Sequence, residues 1–115
     1  MFKFTVTTVR PTANAPFFIH TATGQVYQEL LVQAKSERPK SDVDETALIS
    51  FERTESDDGL TMISTYKFGS IVGKNELFAE EAAIVEEAGM PSFKTARDEY
   101  NAVHDHVTTI ESEIT

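Results

Sequence analysis

The chain contains no cysteine. That removes disulfides, thiolate metal sites and cysteine nucleophiles together, and fits a cytoplasmic setting. It also has no run approaching the ~18 apolar residues of a membrane span. The opening Met1-Phe2-Lys3-Phe4-Thr5-Val6-Thr7 alternates instead of forming an unbroken apolar core, so it reads as part of the fold and not as a secretory signal. Glycine is sparse: Gly69, Gly73 and Gly89 are too scattered for a phosphate-cradling loop, and Gly73-Lys74-Asn75 lacks the upstream glycines of a nucleotide site. The serines lack the Gly-x-Ser-x-Gly context of a hydrolase nucleophile.

What is present is a soluble globular composition, 40% hydrophobic and 25% charged, in 115 residues. This suits one domain spanning 1–115. The net charge of −9 is uneven: residues 1–40 carry five Lys/Arg against two acids, and residues 41–115 carry five against seventeen. A field of this sign argues against nonspecific nucleic-acid binding. An acidic surface more often just keeps a protein soluble, and an acidic inhibitor of a DNA-binding protein is the sharper alternative.

Thr46–Arg53 and Leu60–Phe68 are rich in β-branched and aromatic residues, and Glu55-Ser56-Asp57-Asp58-Gly59 between them supplies a turn, so the region predicts a β-hairpin. Before it, Phe2, Phe4 and Val6 alternate as a strand reaching Val9. Arg10–Pro16 is a loop, and the Phe17-Phe18-Ile19 knot is expected to fold onto the core. Val26, Tyr27, Leu30, Leu31 and Ala34 then space a helix over 22–35, capped by Thr21 or Thr23, followed by an exposed link over 35–44.

After the hairpin, residues 69–74 read as a turn, with Asn75 capping a helix buried through Leu77, Phe78, Ala82, Val85 and Ala88. Glu80, Glu81, Glu86 and Glu87 mark its wet side. Gly89 and Pro91 end it. Ser92 caps a further helix carrying Phe93, Ala96, Tyr100 and Val103 at helical spacing, on which Arg97 and Asn101 are placed to fix helix ends. Residues 106–114 suit either a helix or, from their threonines and alternation, the last strand assigned to them here.

The order βαββαβ, with a helix pair in the second position, predicts a ferredoxin-like α+β sandwich: a four-stranded antiparallel sheet with helices on one face. Phe2, Phe4, Val6 and either Ile49 and Phe51 or their neighbours should meet the helices. The opposite face gathers Thr5, Thr7, Ser50, Thr61 or Ser64, and Thr65, with Ile63 and Ile110 isolated among them. Such a face either packs on a second copy in a homodimer or is a solvated face with threonines chosen for strand propensity.

This element order resembles the dimeric α+β-barrel superfamily of cofactor-independent antibiotic-biosynthesis monooxygenases and related haem-degrading enzymes. Locally, Met1–Thr7, Arg10-Pro11, Pro16-Phe17-Phe18, Asp58-Gly59-Leu60-Thr61 and Ala96–Ala102 resemble small uncharacterised proteins of tailed phages of marine cyanobacteria. In those the corresponding helix ends Tyr-Asn-Ala-Ala before Asn-Gly, where this chain has Val103-His104-Asp105-His106. The first resemblance implies a barrel-like dimer and a small cavity. The second implies a phage source, with host cytoplasm as the setting, and no activity.

Two local clusters carry candidate chemistry. His104 and His106, two apart on a strand, would share a face as a divalent metal site requires; the alternative is a pair of solvated histidines, and no metal or other cofactor is assigned. His20 is the candidate general base at a pocket mouth, with Tyr27, Tyr66 or Tyr100 as hydrogen-bonding partners; alternatively it caps the first helix or faces water. The reading favoured is a non-enzymatic homodimeric accessory protein with a protein or small-molecule partner. A monooxygenase-like or isomerase-like enzyme with a pocket near His20 is the alternative.

Overall fold

A computed structural model describes residues 2–37 and 48–114 of the chain. The strands are β1 (Phe2–Val9), β2 (Leu48–Glu55), β3 (Thr61–Phe68) and β4 (Val107–Ile114). The helices are α1 (Ala22–Glu37), α2 (Ile71–Glu87) and α3 (Phe93–His104), with a single 3₁₀ turn at Phe18–His20. The strands form one sheet in the order β2-β3-β1-β4, antiparallel at every junction. This is the ferredoxin-like α+β arrangement, in the form βαββααβ.

The β2–β3 hairpin is closed by its own polar side chains. Gly59 takes φ +72°, a left-handed conformation that a Cβ disfavours. Asp58 accepts from the Ser56 hydroxyl at 2.6 Å and from the Leu60 amide at 2.9 Å, and these two bonds hold its carboxyl below the ordinary carboxylate range. Arg10 then ties this turn to the first loop, donating from Nε to Gly59 O at 2.9 Å and from Nη1 to Ala15 O at 2.8 Å.

Strand alternation sorts the side chains as the period predicts. Phe2, Phe4, Val6 and Thr8 of β1, Met62, Ser64, Tyr66 and Phe68 of β3, and Phe51 and Arg53 of β2 share the helix side by register. Thr5, Thr7, Ser50, Thr61 and Thr65 lie on the other face with Ile63. Of the alternatives Thr61 and Ser64, Thr61 is the one on this face, while Ser64 is buried on the helix side, opposite Val6 in register. One assignment changes. Ile110 is also paired with Val6, which puts it on the helix side and not on the open face. Helix α1 runs to Glu37, so residues 35–37 of the expected link are helical; the rest of that link, 38–44, and the side chain of Ile49 lie outside what the structure describes.

The Phe17-Phe18-Ile19 knot is buried, as expected of three adjacent apolar side chains. It packs so closely on α1 that a Cβ at Gly24 would stand 2.0 Å from Phe18 O, so only glycine fits. Thr21, not Thr23, caps α1: its hydroxyl accepts from the Gly24 amide at 3.0 Å. Helix α2 starts four residues before the expected Asn75 cap, because Ser70 accepts from the Gly73 amide at 3.2 Å. Ser92 caps α3 as expected, through Thr95 N at 3.1 Å.

Along α3, Phe93, Ala96 and Tyr100 face the core, but Val103 is 76% exposed in the last turn. Asp105 ends the helix at φ 57°, and the Asn101 carbonyl accepts from the amides of both Asp105 and His106. This turn directs His106 inward, and β4 begins at Val107.

Candidate functional site

The helix layer does not close fully on the sheet. Between them lies a cavity of about 420 Å³, within the ~300–1,000 Å³ range of small-molecule sites. Its floor is Phe4 and Val6 of β1, Met62, Ser64 and Tyr66 of β3, Phe51 and Arg53 of β2 and Ile110 of β4. Its roof is Leu77, Phe78, Glu81, Ala82 and Val85 of α2, with Phe93 and Arg97 of α3, and Ile19 closes one end. The small side chains Ser64 and Ala82 leave the space that larger ones would fill. Phe51 at 45% and Ile110 at 43% exposure mark where the helices fail to cover the outer strands.

Aromatic rings form the walls. Phe51 and Tyr66 lie 4.9 Å apart, tilted, while Phe4 and Phe78 meet edge to face at 5.4 Å. Arg53 lies over the Phe51 ring at 4.9 Å and donates from Nε to Ser64 Oγ at 3.0 Å. Arg97, only 13% exposed, lies 5.9 Å over Phe93 and makes long contacts of 3.2–3.3 Å to the neighbouring Asp98. Asp98 is held below the ordinary carboxylate range chiefly by its hydrogen bond from Lys94, at 2.9 Å, then by Arg97.

Tyr66 is where these charges converge. Burial pushes its phenol up, Arg53 opposes that by charge and hydrogen bonding, Glu81 adds to the rise and Arg97 lowers it. The net direction is up, so at neutral pH Tyr66 is a neutral hydroxyl able to donate a hydrogen bond.

The residues singled out from sequence disperse. Tyr66 alone of the three tyrosines lines the cavity. Tyr27 is fully buried and donates to Pro91 O at 2.6 Å; Tyr100 donates to Pro16 O. Burial pushes the phenols of both up, and their hydroxyls tie the helices to the loops. His20 is exposed beside Phe17 and does not line the cavity.

His104 and His106 do not share a strand: His104 ends α3 exposed, while His106 is buried against Phe17 and Tyr100. Their ring centroids are 5.9 Å apart, and among the described residues no group of three metal-ligating side chains converges. Burial, with the charges of His104 and Arg10, pushes His106 below its ordinary value. Glu81, expected on the wet side of α2, turns instead toward the cavity.

Sequence reasoning passed over Arg53 as a site residue and read Arg97 as a helix-end device. Periodicity carried the signal for both. Arg53 is two residues from Phe51 on a strand, and Arg97 is four from Phe93 on a helix, so each shares a face with a residue expected inside.

No family model matches the chain, and no curated protein matches it. Among solved structures it is similar to Rv0793 from Mycobacterium tuberculosis, at 11% identity and a TM-score of 0.52, covering 100% of this chain and 95% of that one. It is also similar to a candidate antibiotic biosynthesis monooxygenase from Deinococcus radiodurans, at 12% identity and a TM-score of 0.49, covering 100% and 92%. At such identity the likeness to Rv0793 shows the fold alone, an α+β chain with a four-stranded antiparallel sheet.

Proposed function

We propose that this protein is a non-catalytic binding protein that holds a small, largely apolar molecule between its sheet and its helices. The observation that carries this reading is the cavity of about 420 Å³ walled by Phe4, Phe51, Met62, Phe78 and Phe93, with a few polar groups placed among them. Among the described cavity residues, the phenol with a shifted pKa moves away from neutrality, which suits a fixed hydrogen-bond donor better than a general base. The alternative, a monooxygenase-like or isomerase-like enzyme with His20 as its base, is weakened because His20 lies outside the cavity lining.

The same proposal has the protein act as a homodimer, and its sequence resemblance suggests a phage source. On the open face Lys3 and Lys67 stand side by side on the central strands, flanked by Glu113 and Glu111 on β4 and Glu52 on β2. A second copy turned by a twofold axis brings its outer acids over these central lysines, around the exposed Ile63 and the threonine rows.

The cavity is tested with 2-naphthalenemethanol by isothermal titration calorimetry, on the wild type and on Ala82→Trp. Ala82 is an exposed cavity residue whose enlargement fills the space from its rim. One saturable site per chain, lost in Ala82→Trp with the unfolding midpoint retained, is the expected result. Absence of saturable binding to the wild type would refute the proposal.

A further inference from the structure

We infer that the cavity selects a planar aromatic carboxylate, with Arg53 and Arg97 gripping the anionic head beside Tyr66 and the aromatic walls holding the ring. The inference rests on the reading of the cavity as a small-molecule site and adds the chemistry of what enters it.

The first support is the sign of the charges. The chain has 19 acids against 10 Lys/Arg, yet of the four charged residues lining the cavity three are cations, Arg53, Lys94 and Arg97, against one acid, Glu81. A lining drawn evenly from this chain would be acidic. Lys94 is well exposed and bonded to Asp98, so the charges set deepest in the wall are the arginines.

The second support is how the arginines are held. The partner of Arg53 Nε is the neutral Ser64 hydroxyl at 3.0 Å, and the guanidinium lies over a ring instead of against a carboxylate. Placing cations in space of reduced dielectric, near a common phenol, is costly through desolvation and mutual repulsion. Asp98 already offsets Arg97 at 3.2 Å, so the guanidinium held by a neutral hydroxyl and a ring is that of Arg53, whose charge a bound carboxylate would offset. A guanidinium lying over an aromatic wall presents its edge along that wall, where a planar carboxylate can accept two parallel hydrogen bonds.

The third support is the Tyr66 hydroxyl, on a residue lining the same cavity as both arginines. Tyr66 keeps its proton at neutral pH and sits within reach of both arginine fields, so it can donate to a carboxylate oxygen. Next to it Phe4, Phe51 and Phe78 line the same cavity and offer aromatic surface on which a flat ring can pack.

The test compares 2-naphthoate, 2-naphthalenemethanol and 2-naphthylmethylammonium by calorimetry at pH 7, on the wild type, Arg53→Gln and Arg97→Gln. Naphthoate should bind at least about tenfold more tightly than the alcohol, with the ammonium weakest. Each arginine substitution should weaken naphthoate about tenfold or more and the alcohol by a clearly smaller factor, so that the preference for naphthoate shrinks. If the alcohol binds as tightly as naphthoate in the wild type, the selectivity is refuted while the cavity reading stands. If both arginine variants weaken all three compounds alike, with unfolding midpoints retained, the arginines support the walls only and the inference is likewise refuted. If none of the three binds the wild type, both readings fall together. The ranking on the wild type decides the selectivity even where a variant does not fold.

Discussion

Two regions of the molecule handle the same residue type in opposite ways. Where the first loop meets α1 and α3, Tyr27 and Tyr100 are packed among Phe18 and Phe93, and their hydroxyls are tied to the carbonyls of Pro91 and Pro16. Over the middle of the sheet, Tyr66 stands beside open space with arginines for company. In the first region aromatic rings fill the interior and their polar atoms anchor loops. In the second they form the walls of the cavity. Under the proposed function the difference places stability in one part of a small fold and binding capacity in another.

The largest effect should come from emptying the packed end. Tyr27→Ala is expected to cost about 3–5 kcal/mol in urea unfolding, as removal of a large, fully buried ring does. Phe51→Ala, at a half-open cavity wall, should cost about 1 kcal/mol or less. Equal costs would erase the distinction between the regions. Next in size is Arg10→Ala, which frees Gly59 O and Ala15 O from a charged donor and should cost about 1.5–3 kcal/mol by the same measurement.

Hydroxyl deletion sharpens the comparison further. Tyr27→Phe should lose about 1 kcal/mol of stability through the bond to Pro91. Tyr66→Phe should leave the unfolding midpoint nearly unchanged and weaken naphthoate binding severalfold. The reverse pattern would exchange the roles assigned to the two tyrosines.

The smallest expected effect is that of pH on the packed end. His106 is buried there with no hydrogen-bond partner on Nδ1 among the described residues, and its folded pKa lies below its ordinary value of 6.5. The unfolded chain therefore takes up the proton first. The stability contributed by neutral His106 is present above about pH 6.5 and is lost as pH falls through the lower folded value. Urea midpoints measured from pH 7.5 down to 5 should decline, and His106→Gln should flatten part of that decline.

Much of this fold was legible because alternation and helical spacing report facing directly. β1, the hairpin, α3 from its Ser92 cap, the buried Phe17–Ile19 knot and the last strand all follow from such local rules. The failures occurred where local signals conflicted with tertiary structure. Ile71-Val72-Gly73 has weak helix propensity and read as a turn, yet the Ser70 cap starts α2 there. Ile110 was placed by its strand without the register that fixes its face. His104 and His106 were read as one strand, but the left-handed turn at Asp105 separates them.

The cavity itself was hidden for a different reason. Period tells which side chains face the second layer, but not how far that layer stands off. Arg53 and Arg97 were thus each placeable on an inner face while their convergence was invisible.

The most direct measurement is methyl NMR of the wild type during titration with 2-naphthoate. The account predicts shifts at Val6, Ile19, Met62 and Ile110, which border the cavity, and none beyond noise at Ile63 and Val107 on the opposite face. Shifts centred on Ile63 and Val107, or none at any of these methyls up to saturating ligand, would contradict it.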